Sequence, residues 1–458
     1  MSTVTAPSTE QQLRKKTRRK VLWRLLPFLM VCYFVNYLDR SNMSFAGPNG
    51  MNDALGLTAT AFGFASGIFF IGYIIIEVPS NLAMQKFGGR KWLARILISW
   101  GIVAALTAFV QDATMLYVLR FLLGVAEAGF TPGILLYLTY WFVQKDRPQV
   151  YALFLIGIPL SSTLGAPIVA GLIQWGHGLL FGLDGWRFMI LFTGIPAVLL
   201  GIMCFYYLTD RPSQAKWLTA EERDLLVRDL SEEEKTYATH TWRAVLASGK
   251  VWILGLGYFG LVFGLYAIGF FLPTIIKGFQ STFDVTYSVF QIGLLTSIPY
   301  AFAVLFLIVW SRHSRLHNEV TKHIVVCALM GSVGILAAVW APSPFVILIG
   351  VTIAAMGICT GIPLWFGMPT KFLTGVGAAT GLALINTIGN FGGFSGPFMF
   401  GWLRDLTGST DTGIYLIAGF CLVSVVVAIS FNRWKIAKPY MGIAQQDADE
   451  ARSVAREY

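Results

Sequence analysis

Charge is scarce in this 458-residue chain: Asp, Glu, Lys and Arg make up 13% of it. That is about half the quarter usual for soluble proteins, which argues against a soluble enzyme of two or three domains. Cysteine is also rare. Cys32, Cys204, Cys327, Cys359 and Cys421 all lie in apolar stretches without paired or metal-ligand spacing. They read as small packing residues rather than disulfides or ligands. No phosphate-binding glycine loop and no nucleophile elbow occurs, which removes ATP-driven transport by this chain and ordinary hydrolase chemistry. His313, His317 and His323 surround Glu319 without H-E-x-x-H spacing, so they read as solvated residues of a basic loop. The net charge of +10 marks cytoplasmic loops in so apolar a chain, and no nucleic-acid partner is expected.

What the chain has is apolar length. Hydrophobic residues make up 55% of it, with 14 Trp, 35 Phe and 47 Gly, and the mean hydropathy is +0.64. A run of about twenty apolar residues crosses a bilayer as a helix, which satisfies its own backbone groups. Twelve such runs are present, near 21–43, 58–80, 92–110, 115–142, 150–174, 188–209, 250–275, 288–310, 324–341, 345–368, 377–401 and 413–432. The basic leader Arg14 to Lys20 imitates a secretory signal, but the first run is too long for one and contains Asp39 and Arg40. It reads as a retained first helix.

Lys and Arg set the orientation. The leader and the loops at 81–95, 143–149, 311–323 and 369–376 hold sixteen, while the opposite loops hold three, Arg187, Lys277 and Arg404. Both termini are therefore expected in the cytoplasm. One long polar stretch, 210–249, contains Thr219-Ala220-Glu221-Glu222, a capping-box pattern that predicts a surface helix. The expected organisation is an N-terminal tail (1–20), a six-helix bundle (21–209), a cytoplasmic linker (210–249), a second six-helix bundle (250–433) and a C-terminal tail (434–458). Duplicated halves around a midplane site suit a transporter.

Ionisable residues within spans cost several kcal/mol by insertion scales of about 2.5–3.5 kcal/mol each, so Asp39, Arg40, Arg120 and Glu127 are functional candidates. Asp39 and Arg40 are adjacent, about 100° apart on a helix, and cannot both face one neighbour. Two readings are open for the set: the four lock spans one and four together, or they handle substrate and protons. Arg40 suits a carboxylate through its planar fork. Glu127 sits in Ala126-Glu127-Ala128-Gly129 without a local cation, and a desolvated carboxylate can exchange protons near neutral pH. Glu77, near the cytoplasmic end of span two, reads as an interfacial or gating residue. Tyr37, Tyr73 and Trp365 could line a cavity or simply pack. Gly389-x-x-x-Gly393 and Gly392-x-x-x-Gly396 read as sites of close helix packing inside the fold.

The residues also carry a resemblance. Tyr37-Leu38-Asp39-Arg40-Ser41-Asn42 and Arg120-Phe121-Leu122-Leu123-Gly124-Val125-Ala126-Glu127-Ala128-Gly129-Phe130 resemble the first- and fourth-helix signatures of the anion:cation symporter family of the major facilitator superfamily. Gly185-Trp186-Arg187-Phe188, Leu208-Thr209-Asp210-Arg211-Pro212 and Asn386-Thr387-Ile388-Gly389-Asn390 are similar to bacterial tartrate, 4-hydroxyphenylacetate and phthalate-type organic-acid permeases. The superfamily's loop motif appears as Gln85-Lys86-Phe87-Gly88-Gly89-Arg90-Lys91, with Gln85 in place of the usual aspartate, and Arg315 departs likewise in the second half.

The resemblance implies an all-α membrane protein with twelve transmembrane helices in two six-helix halves, the major facilitator fold. It implies a monomer in the bacterial inner membrane that imports a small organic acid anion with protons and uses no cofactor. Arg40 would hold the substrate carboxylate, with Tyr37, Tyr73, Trp365, Asn386 and Asn390 shaping the pocket. Asp39 and Glu127 would be the protonation sites, and Arg120 the cation paired with Asp39. A uniporter or exchanger of the same fold, and more remotely a membrane-embedded enzyme, are the alternatives.

Overall fold

The computed structural model describes residues 9–143, 146–234, 247–371 and 375–433. The first eight residues, 235–246 of the expected linker and the expected tail 434–458 lie outside them. Among the described residues the chain is helical, without a strand. The first half contains α1 (Thr9–Ala46), α2 (Ala59–Phe87), α3 (Gly89–Leu106), α4 (Ala113–Glu127), α5 (Phe130–Thr139), α6 (Arg147–Leu155), α7 (Gly157–Gly176) and α8 (Gly185–Tyr207). A linker helix, α9 (Ala220–Glu234), leads to α10 (Gly249–Phe283), α11 (Val289–Leu316), α12 (Thr321–Val339), α13 (Pro344–Trp365), α14 (Gly375–Thr407) and α15 (Asp411–Arg433). Eleven helical stretches among the described residues are long and apolar enough to cross a membrane. The remaining one in the expected order is α14, whose apolar run is interrupted by Asn386, Asn390 and several glycines.

Three local features differ from the sequence reading. The basic leader is not a separate tail, because α1 begins at Thr9 and carries it as its first turns. The fourth span is two helices. It breaks after Glu127, where Gly129 takes a left-handed φ of 84°, a conformation that suits glycine. The fifth span likewise divides into α6 and α7 around Ile156.

Within the first half, α3 packs on α8, α2 on α4, and α1 on α7 and α8. In the second, α10 packs on α14 and α15, and α12 on α13 and α15. The halves meet where α2 runs along α14, α7 along α11, and α1 touches α10. Small residues permit this approach: a Cβ on Gly63 would lie 2.3 Å from the Pro397 carbonyl oxygen. The glycine spacings of α14 serve packing as expected, since a Cβ on Gly392 would lie 2.9 Å from the Phe259 carbonyl oxygen of α10.

Where α1 ends and α2 begins, polar contacts tie the halves together. The Ala59 and Thr60 amides donate to the Asp405 carboxylate at 3.1 and 2.7 Å. The Phe290 amide donates to Gln174 Oε1 at 2.9 Å, and Lys277 Nζ donates to the Pro48 carbonyl. The first two contacts share one design. In each, a side chain near the end of one half's fifth span caps the N-terminus of the other half's second span, where amides lack helical partners.

At the opposite end the expected capping box forms. Thr219 N–H donates to Glu222 Oε2 at 3.1 Å, and Glu222 N–H to Thr219 Oγ1 at 3.2 Å. Lys20 of α1 donates to the same carboxylate at 2.8 Å, which docks α9 on α1. Burial pushes the Glu222 carboxyl up, but the Lys20 hydrogen bond and the Thr219 amide outweigh it and hold the group below the usual carboxylate range.

Candidate functional site

The adjacent residues Asp39 and Arg40 face different surroundings, as the helical turn between them requires. Asp39 turns into the first half. Its carboxylate accepts from Trp100 Nε1 of α3 at 2.9 Å and from Asn42 Nδ2 at 3.1 Å. Asn42 Nδ2 also lies 2.5 Å from Thr193 Oγ1 on α8. Arg40 turns towards the interface between the halves. Its Nε donates to Glu127 Oε1 at 2.8 Å, and its Nη2 donates to the same oxygen. Its Nη1 donates to the Tyr266 hydroxyl of α10 at 3.0 Å. One guanidinium therefore joins α1, α4 and the second half.

Aromatic faces complete the setting of Arg40. Its guanidinium carbon lies 5.4, 5.1 and 5.5 Å from the ring centres of Tyr37, Phe69 and Tyr73, distances at which a ring attracts a cation. Glu127 is fully buried at the end of α4. Its Oε1 takes both Arg40 donors, while Oε2 has no hydrogen-bond partner among the described residues.

A cavity of about 60 Å³ adjoins this cluster. Its wall includes Tyr37, Arg40, Ser41 and Ser44 of α1, Ser162 of α7, Tyr266 of α10, Thr296 and Tyr300 of α11, and Cys359 of α13. It lies between the halves and has room for roughly four waters. That suits a carboxylate-sized group, so a larger ligand requires the halves to part.

The remaining candidates are placed differently. Arg120 is buried, but it is not paired with Asp39: its Nε donates to the Ala65 carbonyl at 3.3 Å, and its charge lies 5.3 Å from the Phe69 ring centre. The ion pair that forms is Arg40–Glu127, and the Asp39 carboxylate is taken by Trp100 and Asn42 instead. Trp365 does not line the cavity; it is 0% exposed and donates to the Leu254 carbonyl at 3.1 Å. Asn386 Nδ2 of α14 donates to Glu77 Oε1 of α2 at 3.2 Å, so Glu77 makes a contact between the halves. Asn390 is half-buried one turn further along α14. All five cysteines are free and buried, as small packing residues would be.

Sequence reasoning missed Tyr266, Trp100 and Thr193. The available signal for Tyr266 was a tyrosine deep in an apolar helix between Gly264 and Gly269. Its relation to Arg40, 226 residues away, needed the folded structure.

Known proteins bear out the architecture. Residues 29–397 match the Major Facilitator Superfamily, and the chain belongs to that superfamily. It is a multi-pass membrane transporter and not an enzyme. It is 47% identical over 424 residues to an Agrobacterium vitis protein named "Putative tartrate transporter", with 92% of each chain covered. It is 36% identical over 417 residues to the "Quinolone resistance transporter" of Acinetobacter baumannii, covering 90% of this chain and 94% of that one. A solved structure of a bacterial homologue of the human lysosomal transporter Spinster, inward-facing and occupied, superposes with a TM-score of 0.70. That match covers 90% of this chain and 98% of the other at 16% identity, and speaks for the fold.

Proposed function

We propose that this transporter imports a small organic acid anion together with protons across the bacterial inner membrane, as a monomer with both termini in the cytoplasm. The observation that carries the reading is the part-buried Arg40–Glu127 pair at the cavity between the halves. While Glu127 is charged, it occupies the guanidinium. A proton on Glu127 cancels that attraction and frees Arg40 for a substrate carboxylate, for which its fork is suited. Loaded in this way, the cluster replaces one buried carboxylate with another and adds no net charge to a low-dielectric site. The halves can then reorient about it. Tyr37 and Tyr73 orient the guanidinium, and Asn386 and Asn390 form the second half's polar wall once the halves part. Asp39, held by Trp100 and Asn42, is the second protonation site, and Arg120 offsets its charge at longer range.

The two named relatives support a carboxylate cargo, since tartrate and quinolone drugs are both carboxylic acids. The name of the second, a resistance transporter, makes export the second reading. Glu127→Gln in proteoliposomes tests the coupling, because glutamine mimics the neutral form permanently. Binding and counterflow exchange should survive while accumulation driven by an imposed pH gradient disappears. Accumulation at the wild-type level in this variant would place the proton elsewhere, and a wild-type protein that moves substrate without proton flux would be a uniporter or exchanger.

A further inference from the structure

The first turns of α1 carry two unlike faces. On one, Arg14 pairs with Asp229 at 2.9 Å and Arg18 with Asp146 at 3.3 Å, so the protein supplies its own counter-charges. The other face carries Lys15, Lys16, Arg19, Lys20, Trp23 and Arg24, spaced at helical i, i+4 and i+8 intervals that align them in one stripe. Four of these cations are exposed, and the acid that meets the stripe among the described residues is Glu222, at 2.8 Å from Lys20 and 4.0 Å from Lys16. The stripe borders an open groove of about 970 Å³ with Tyr207 of α8 on its floor. The Arg24 guanidinium stands 3.9 Å above that tyrosine's ring centre.

The position of the groove identifies its ligand. It lies where α1 passes from its charged turns into its apolar run, beside two aromatics directed outward, Trp23 at 66% and Tyr206 at 81% exposure. Aromatic side chains exposed at this depth belong to the headgroup level of a bilayer. A basic groove at that level fits an anionic headgroup whose acyl chains continue alongside the helix. We propose that this groove is a binding site for the phosphodiester of an anionic phospholipid, seated on Lys15, Lys16 and Arg19 over the Arg24–Tyr207 floor. The site is separate from the cavity between the halves and does not depend on what the transporter carries.

The purified full-length chain in a non-ionic detergent tests this, with bound lipid counted by native mass spectrometry. Dioleoylphosphatidylglycerol, dioleoylphosphatidylcholine and glycerol 3-phosphate serve as the three probes. Phosphatidylglycerol should bind, with neither of the others binding at equal concentration. The exposed triple variant K15Q/K16Q/R19Q should bind it about a hundredfold more weakly, since each basic residue at an anionic surface is worth about fivefold. K86Q/K91Q/K322Q, which removes three exposed lysines elsewhere, should stay within about twofold of wild type. Four results would each overturn the assignment: undiminished binding by the first triple variant, an equal loss in the second, equal binding of phosphatidylcholine, or glycerol 3-phosphate binding as tightly as the lipid. The last would make the groove a site for free phosphate.

Discussion

Arg40 is bound three ways: by charge to Glu127, by a hydrogen bond to Tyr266 and by the faces of Tyr37, Phe69 and Tyr73. A lysine there would keep the charge but lose the planar fork and most of these contacts. Arg40→Lys should therefore weaken substrate binding by tenfold or more, and Arg40→Ala should abolish it. Removing one member of a buried pair costs about 3–5 kcal/mol when the other stays charged. Under the role proposed for Glu127 as proton carrier, the alanine variant should still fold. Isothermal titration with purified protein decides the matter: wild-type affinity in Arg40→Ala would make Arg40 a purely structural residue.

At the scale of elements, the break between α4 and α5 places Glu127 at a helix end beside a glycine that cannot readily be replaced. A Cβ on Gly129 would meet Ser80 Oγ at 2.4 Å. Discontinuous helices at the midplane are a recurrent way for transporters to build binding sites. The paired caps at the far end define a second working element. Asp405 holds the start of α2 and Gln174 holds the start of α11, and both bonds cross between halves that must separate in alternating access. A capping side chain is worth roughly 1 kcal/mol, about fivefold in a two-state ratio. Asp405→Ala and Gln174→Ala together should shift the closed-to-open ratio at this end by about 25-fold. Spin labels at Ala54 and Thr286, on opposite halves, would register the shift as a longer distance. An unchanged distance distribution in the double variant would show that the caps do not hold this end closed.

Over the whole molecule, the sixteen-to-three bias of Lys and Arg supplies the direction in which the chain sits. The orientation proposed from it has α9 and the basic stripe of α1 on the cytoplasmic side and the paired caps on the outer side. With its five native cysteines replaced, the chain should accept single cysteines at Ser231 on α9 and at Ser409 beyond α14. An impermeant thiol reagent added to intact cells should label position 409 and spare position 231. Equal labelling of both would contradict the twelve-span arrangement.

The twelve spans, the division into halves and the four candidate charges within the spans are legible in the sequence, because hydropathy, helical period and charge bias are local properties of the chain. So is the separation of Asp39 from Arg40, which follows from 100° of helical turn. Partner choice is not local. The Arg40–Glu127 pair joins residues 87 apart and the Tyr266 contact residues 226 apart, and which of the four in-span charges meet depends on how each helix is rotated against its neighbours. That rotation set Arg120 on a carbonyl oxygen instead of Asp39, and buried Trp365 in the second half. The same is true of the break after Glu127: its glycine is visible in the sequence, but the left-handed turn there was decided by the packing of α4 and α5 against Ser80 of α2.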